Sequence, residues 1–431
     1  MISFEVSGIA GTVGADLTPE VAVSAGRAIG QLYRRAAVSR DAGKSGIMLA
    51  NALTAGLCSA GCDVTDVGIC ALPTSILSIP ADGCGIMVTS PQSFGGYAWI
   101  RLNSPGGASF TPLQTGAVRD LAAGNGNVKD VRHDTIGTVS HEDARTAEHI
   151  AAIQKAVGVT DCPVIVDCAS GTASLITPRL LAGMGADVRT MNADTGPGAG
   201  RMTEHHAYAG LVKNVRSSPG SVGIGHDGNG SRIAVVDEGG RLLNGNTVIA
   251  LIASHLKADK IAVPISAGMV IDEVVKGNVV RTKVGDNYLS EAMMKNDIRL
   301  GGEPSGMFIF GDSSYCPDGI YAAAVIASIA TEGSLRQAAD ELPSYHTGSA
   351  DMAVSGSREE LAKRLDEKIA SGEHDRLIKE DGWRVEMPDG WYLIRISNFE
   401  NKVRVVAEAR DKVYMNCLLD IAKDAVASCI R

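Results

Sequence analysis

Several absences narrow this 431-residue chain first. There is no run of basic residues, and the formal net charge is −9 with 40 Lys+Arg against 49 Asp+Glu. Binding to nucleic acid through phosphate neutralisation therefore has no support. No apolar stretch approaches the roughly 20 residues that cross a bilayer, and the opening Met1-Ile2-Ser3-Phe4-Glu5 lacks a basic region followed by a hydrophobic one. The expectation is a cytoplasmic protein with no membrane partner. Nine cysteines include no CxxC pair, and Cys84, Cys162 and Cys168 lie in or beside apolar runs. They read as buried thiols in a reducing compartment. Cys58 and Cys62, four apart, have no third and fourth zinc ligand at suitable spacing. No GxGxxG follows a strand and opens a helix with an acidic residue about 20 positions on, so a dinucleotide site is disfavoured.

What is present is ordinary for a globular chain, with 45% hydrophobic and 21% charged residues, but 50 glycines imply many tight turns. The length requires more than one domain, because single cores stop growing at roughly 250 to 300 residues. Apolar strand-like runs alternate with helix-period segments three times, which predicts βαβ units with parallel sheet cores. Helices are expected over 46–61, 174–184, 247–256 and 319–331, and strands over 63–67, 85–89, 164–167 and 260–264. The charged stretch 357–379 leads into alternating strands around Trp383 and Trp391, a smaller α+β unit in which Trp383, Trp391 and Tyr392 are core anchors.

Three segments carry chemistry. Gly225-His226-Asp227-Gly228-Asn229-Gly230-Ser231-Arg232 sets oxygen-bearing side chains at every second position. Such a loop can turn three oxygens toward a hard cation, or be a hairpin turn, for which Asp-Gly and Asn-Gly are strong signals. The strand-like Cys84 to Thr89 ends in Ser90 beside an irregular loop, a position suited to a phosphoryl carrier or to a turn cap. Near the C-terminus, Arg395-Ile396-Ser397-Asn398 sits between two strands and has the donors of a phosphate cradle.

The order of these segments resembles the alpha-D-phosphohexomutase superfamily, which includes phosphoglucomutases, phosphomannomutases and phosphoglucosamine mutases. Further pieces carry the resemblance nearly end to end: Val6 to Gly14, Val38-Ser39-Arg40-Asp41, Val164 to Gly171, Arg281-Thr282-Lys283-Val284-Gly285-Asp286 and Gly301-Gly302-Glu303-Pro304-Ser305-Gly306. It implies three similar α/β domains with mixed, mostly parallel sheets plus a C-terminal α+β domain around a central cleft. The expected divisions are 1–150, 151–246, 247–355 and 356–431. It implies a phosphosugar mutase that works through a phosphoserine and a bisphosphorylated sugar. By resemblance Ser90 is that serine; Ser90, Asp227, Asn229 and Ser231 hold Mg²⁺; and Arg232 and Arg101 are catalytic. Glu303 and Ser305 bind sugar hydroxyls. Arg395, Ser397 and Asn398 bind the phosphate that is not transferred, with Arg404 in support.

Departures from the family pattern matter. Relatives carry three carboxylates in the metal loop, whereas Asn229 and Ser231 are neutral, so Mg²⁺ binding should be weak and dependent on the phosphoserine charge. His-Asn-Pro after the serine is Pro91-Gln92-Ser93, and Phe399 and Asn401 replace a small hydroxyl and a proline in the phosphate loop. The family's arginine in the first glycine motif is Ala10, its lysine is Arg101, and its histidine after the sugar glutamate is Met307. Neither Ala10 nor Met307 moves protons, and Arg101 is no base near neutral pH. His226, and the His205-His206 pair near Arg201, are the substitute bases to consider. Pro304 and Met307 would make the sugar pocket less polar on one side. The alternative is a non-catalytic relative that binds a sugar phosphate or acts as a scaffold.

Overall fold

The computed structural model describes residues 8–90, 96–125, 131–195, 208–354, 356–372, 374–397 and 401–430, and the backbone of 3–5. Pro91-Gln92-Ser93, Arg201, His205, His206, Asn398 and Phe399 lie outside the described residues.

The first unit holds a seven-stranded sheet of β1 (Ser3–Glu5), β2 (Gly8–Thr12), β3 (Arg35–Arg40), β4 (Asp63–Ile69), β5 (Cys84–Thr89), β6 (Tyr97–Asn103) and β7 (Val139–His141). Their order is β1-β2-β6-β5-β3-β4-β7. Helices α1 (Pro19–Leu32), α2 (Lys44–Ser59), α3 (Leu72–Ser75) and α4 (Pro112–Ala122) accompany it. Local chemistry starts these helices: Thr18 caps α1 ahead of Pro19, and Thr111 with Gln114 forms a capping box ahead of α4. Strands β3 and β5 run parallel with Arg40 opposite Val88, so Asp41 and Ser90 emerge side by side at one edge.

The second unit combines α5 (Thr146–Val157), β8 (Pro163–Asp167), α6 (Thr177–Met184), β9 (Asp187–Met191), α7 (Ala209–Arg216), β10 (Val222–His226) and β11 (Ile233–Val236), in sheet order β11-β10-β8-β9. The third contains α8 (Gly245–His255), β12 (Ile261–Pro264), α9 (Met269–Val274), β13 (Val279–Thr282), α10 (Asp286–Asn296), β14 (Leu300–Glu303), β15 (Met307–Phe310), α11 (Gly319–Glu332) and α12 (Leu335–Asp340), ordered β13-β12-β14-β15. One apolar core joins these two units through α11, whose Ala322 to Ala327 are all buried. A helix that is apolar on every side has no face for water.

The last unit is an antiparallel sheet, β16-β20-β19-β18-β17, with β16 (His346–Ala353), α13 (Arg358–Ala370), β17 (Arg376–Ile378), β18 (Trp383–Met387), β19 (Gly390–Ile396), β20 (Lys402–Ala409) and α14 (Lys412–Ile430). The buried Trp383 and Tyr392 lie in its core as expected, whereas Trp391 packs with Leu393 and with Ile265 of the third unit. Arg384 stacks on Trp391 at 3.9 Å and donates to the carbonyls of Ile265 (2.9 Å) and Ala267 (2.8 Å), seating this unit on the third.

Two divisions fall elsewhere than expected. Strand β16 pairs with β20 along its whole length, His346 opposite Ala409 to Ala353 opposite Lys402, so the last unit begins ten residues before 356. Its polar sequence gives no apolar alternation to mark a strand, because every second residue is exposed. Helix α5 crosses the expected break at 150, and Ile153 lies in the core shared by the second and third units. Among the described residues no helix is long and apolar enough to cross a membrane. Cys58 is half-buried, Cys417 is exposed and the other seven cysteines are buried; burial pushes the Cys62 and Cys70 thiols up to about 12.

Candidate functional site

Every chemically interesting segment sits at or beyond the carboxyl end of a strand: Ser90 after β5, the Asp227 loop after β10, Glu303 closing β14 and Arg395 near the end of β19. Open α/β sheets commonly bind ligands along that edge.

Ser90 is buried and held by Asp41. Its N–H donates to Asp41 Oδ2 at 2.7 Å, and its Oγ lies 3.4 Å from Asp41 Oδ1. The same carboxylate accepts from the Thr89 hydroxyl (3.0 Å) and the Gly43 N–H (2.9 Å). Burial raises the Asp41 carboxyl above the usual range, and these hydrogen bonds, led by the Ser90 N–H, oppose the rise. Asp41 was legible only as part of the Val38-Ser39-Arg40-Asp41 segment; its grip on Ser90 comes from the parallel pairing of β3 and β5.

Gly43 faces Ser90 directly. A Cβ there would lie 2.1 Å from Ser90 Oγ and 2.9 Å from Asp41 Oδ1, while φ −63° and ψ 145° suit any residue. Gly43→Ala therefore acts through sterics at Ser90 and its partner Asp41, not through backbone strain. We expect kcat to fall by roughly 10²-fold, since small misplacements at a reacting centre cost that much. The melting temperature should stay within a few degrees; unchanged kcat would show that Ser90 Oγ is not the reacting atom.

The Asp227 loop is buried along its length. Asp227 Oδ1 accepts from the N–H groups of Ser231 (2.8 Å) and Arg232 (3.2 Å), Asp227 Oδ2 accepts from Ser231 Oγ (2.7 Å), and Asn229 Oδ1 accepts from the Ser231 N–H at 3.1 Å. The Asp227 and Asn229 side-chain oxygens thus share the Ser231 N–H, an arrangement that both the turn reading and the cation reading allow. Among the described residues there is no group of three or more His, Cys, Asp or Glu able to hold a metal. The donor set is one carboxylate, one amide oxygen and one hydroxyl, all hard oxygens. It fits a magnesium ion when an anion such as a phosphate on Ser90 supplies the missing charge.

This loop docks onto the first unit. The Leu72 N–H donates to the Asn229 carbonyl (2.9 Å), and Leu72 follows β4, where the Cys70 N–H donates to the Arg40 carbonyl at 3.3 Å next to Asp41. His226 closes the loop: its Nδ1 lies 3.2 Å from the Arg232 carbonyl, the geometry of an N–H donor. Burial lowers its pKa and the ring is sealed from solvent. It is a neutral brace, which sets aside the substitute-base reading.

Glu303, which closes β14, is buried. Oε1 accepts from the Gly285 N–H (2.9 Å) and Oε2 from Ser305 Oγ (3.2 Å). Burial raises its pKa, and the Arg232 guanidinium is the main opposing influence, which places the Asp227 loop's arginine in the field of the sugar-loop carboxylate. Arg232 Nε is buried with no hydrogen-bond partner among the described residues. Arg101 forms an ion pair with Asp286, which also accepts from Ser109 Oγ at 2.8 Å. Arg101 therefore clamps the first unit to the third beside Gly285, and its charge is already engaged.

Arg395 Nε lies 2.8 Å from Asp381 Oδ2, and Asp381 in turn accepts from the Val284 N–H at 3.3 Å, next to Gly285. The Ser397 N–H donates to the Lys402 carbonyl at 2.9 Å, pairing the end of β19 with the start of β20. Arg404 makes two contacts with Asp351, at 2.9 and 3.2 Å, and Lys402 makes another at 3.0 Å. Together they hold the Asp351 carboxyl well below the usual carboxylate range. Asp351 thus occupies Arg404, a pairing hidden in the sequence because no strand was expected over 346–353. Met307 packs with Leu289, Met293 and Ile309 in a core cluster. Its size is accounted for by that packing and no longer argues for an altered sugar pocket.

Comparison with known proteins agrees with this layout. Family models described as phosphoglucomutase/phosphomannomutase, alpha/beta/alpha domains I, II and III, match residues 1–128, 144–240 and 244–345. A probable phosphoglucosamine mutase of Methanosarcina acetivorans is 36% identical, covering 95% of this chain and 96% of its own length. One from Methanocella arvoryzae is 34% identical, covering 100% and 99%. The crystal structure of a phosphoglucomutase/phosphomannomutase family protein from Burkholderia thailandensis superposes with a TM-score of 0.86 at 23% identity, covering 100% of this chain and 98% of that one. The N-acetylphosphoglucosamine mutase of Aspergillus fumigatus, solved with GlcNAc-6P and magnesium, gives 0.61 at 15% identity, covering 100% and 96%. At these identities the two structures establish the fold alone.

Proposed function

The chain belongs to the phosphoglucomutase/phosphomannomutase family within the alpha-D-phosphohexomutase superfamily, and from that premise we propose that it is a phosphosugar mutase, an isomerase whose phosphoryl carrier is Ser90. The observation that carries the reading is the convergence of Ser90, the Asp227 loop, Glu303 and Arg395 at the carboxyl ends of their strands, linked by named hydrogen bonds and ion pairs.

In this reading Arg395, Ser397 and Asn398 hold the phosphate that stays on the sugar, using charge and hydroxyl or amide donors. Glu303 and Ser305 take sugar hydroxyls. Ser90, aimed by Asp41, carries the phosphoryl group; the sugar receives it, turns as a bisphosphate, and returns the other phosphate to Ser90. Arg232 lies in the field of Glu303 and places positive charge where the sugar and the phosphoryl group meet. Arg101 positions the third unit through Asp286 and moves no proton. A magnesium ion held by the phosphorylated Ser90, Asp227, Asn229 and Ser231 would supply charge neutralisation during transfer. With one carboxylate in the loop, its affinity depends on phosphorylation of Ser90.

Both curated relatives are named probable phosphoglucosamine mutases, which makes glucosamine phosphate the first substrate to assay. A non-catalytic scaffold is not favoured, since nothing in such a role requires Ser90 and Asp41 to keep this geometry. The test is intact-mass analysis after incubation with a hexose 1,6-bisphosphate and Mg²⁺. One phosphate should appear on Ser90 and leave when a sugar monophosphate is added. A protein that takes up no phosphate, and exchanges no label across hexosamine and hexose phosphates, would be a binding protein instead.

A further inference from the structure

The loop that carries Asp227 is gripped from two sides, and one histidine ties the two grips together. From the first unit, the Leu72 N–H donates to the Asn229 carbonyl. From the third, the Gly319 N–H donates to the Gly230 carbonyl at 3.1 Å, and a Cβ at Gly319 would lie 2.6 to 2.8 Å from the backbone of Arg232. Thr74 is two residues beyond Leu72, and Asp318 immediately precedes Gly319. Between them stands His149 of α5, with Nδ1 3.0 Å from Thr74 Oγ1 and Nε2 2.9 Å from Asp318 Oδ2. All three residues are at least 97% buried. A carboxylate only accepts, so Nε2 carries a proton and donates to Asp318, while Nδ1 is hydrogen-bonded to the Thr74 hydroxyl. The other oxygen of Asp318, Oδ1, accepts the N–H groups of Ile320 (3.0 Å) and Tyr321 (2.8 Å), fixing the start of α11.

We propose that His149 is a positioning residue for phosphoryl transfer: through Thr74 and Asp318 it sets the placement of the Asp227 loop against the strand end that bears Ser90. Sealed from solvent, the three side chains form no active site of their own, although their order matches a hydroxyl, an imidazole and a carboxylate. Imidazole suits the task because its two nitrogens point in opposite directions, and its rigid ring holds the first unit and α11 at a fixed separation. Among the described residues no side chain of this relay hydrogen-bonds to Glu303, Ser305 or Arg395, so loss of His149 should affect transfer more than substrate capture.

The inference rests on the mutase reading, and its test separates the two. Sugar-phosphate isomerisation, Ser90 phosphorylation by a hexose 1,6-bisphosphate and thermal melting are measured for the wild type, His149→Ala, Thr74→Val and the double variant. Thr74→Val keeps the shape, removes only the hydroxyl and covers the case in which His149→Ala does not fold. We expect kcat to fall by roughly 10²-fold in His149→Ala and by about tenfold in Thr74→Val, with KM within about threefold of wild type. The double variant should be no worse than His149→Ala, because residues acting in one relay are not additive. A lowered melting temperature with kcat unchanged, or equal losses in kcat and 1/KM, would overturn the positioning role. A wild type that neither isomerises sugar phosphates nor accepts phosphate would sink the mutase reading itself.

Discussion

Replacing Ser90 with alanine is expected to abolish isomerisation, a loss on the order of 10⁶-fold, the size seen when the nucleophile of a covalent mechanism is removed. Among the described residues the adjacent hydroxyl does not stand ready to substitute. Thr89 donates its hydroxyl to Asp41 at 3.0 Å, so it is committed to holding the same carboxylate. The backbone of residue 90 keeps its bond to Asp41, which comes from the N–H, so the site should retain its shape and the melting temperature should hardly move. Intact mass supplies the second readout: the variant should carry no phosphate after incubation with a hexose 1,6-bisphosphate, whereas wild type gains one. Residual turnover within tenfold of wild type would remove Ser90 from the mechanism.

Asp227→Asn should be the next most damaging change, with activity down on the order of 10³-fold, about 4 kcal/mol of transition-state stabilisation. Asp227 is the only carboxylate within the oxygen-rich loop, whose other donors are Asn229 and Ser231. The substitution preserves size and leaves one oxygen to accept the Ser231 and Arg232 N–H groups, while the Ser231 hydroxyl can turn to accept from the new amide. Shape is therefore largely kept and the negative charge is lost. The concentration of Mg²⁺ giving half-maximal rate should rise at least tenfold, and KM for the sugar phosphate should change little, since Arg395 and Glu303 stay in place. Equal Mg²⁺ dependence in the two proteins would mean that the loop holds no cation.

Much of this was legible in the sequence because the informative segments are local. A hydroxyl after an apolar run, oxygens alternating with glycine, and an arginine and serine in a turn between strands are patterns of adjacent residues whose geometry the backbone sets by itself. The helices from 319 and 247 and the strand ending at Thr89 follow from apolar periodicity, and their ends match to within a few residues. What escaped was non-local or polar. Strand β16 has no apolar face to announce it and exists through pairing with β20. Asp41 and Ser90 are 49 positions apart and meet through the β3–β5 register. Arg101 and Asp286 are 185 apart, and Thr74, His149 and Asp318 come from three separate stretches.

The amino-acid string alone determined the class of chemistry: which residues can accept a phosphoryl group, which oxygens can face a cation, and how little charge that loop brings to the task. Short spacing alone left Ser90 open as a turn cap and the Asp227 segment open as a hairpin turn; the resemblance of the whole order of segments to one superfamily assigned their roles. Tertiary structure decided which charges remain available. Only folding engages Arg101 with Asp286 and Arg404 with Asp351, seals His226 as a brace, and brings a carboxylate from one strand end to the serine of the next. Hydrogen bonding and desolvation act over a few ångströms in space, whatever the separation along the chain.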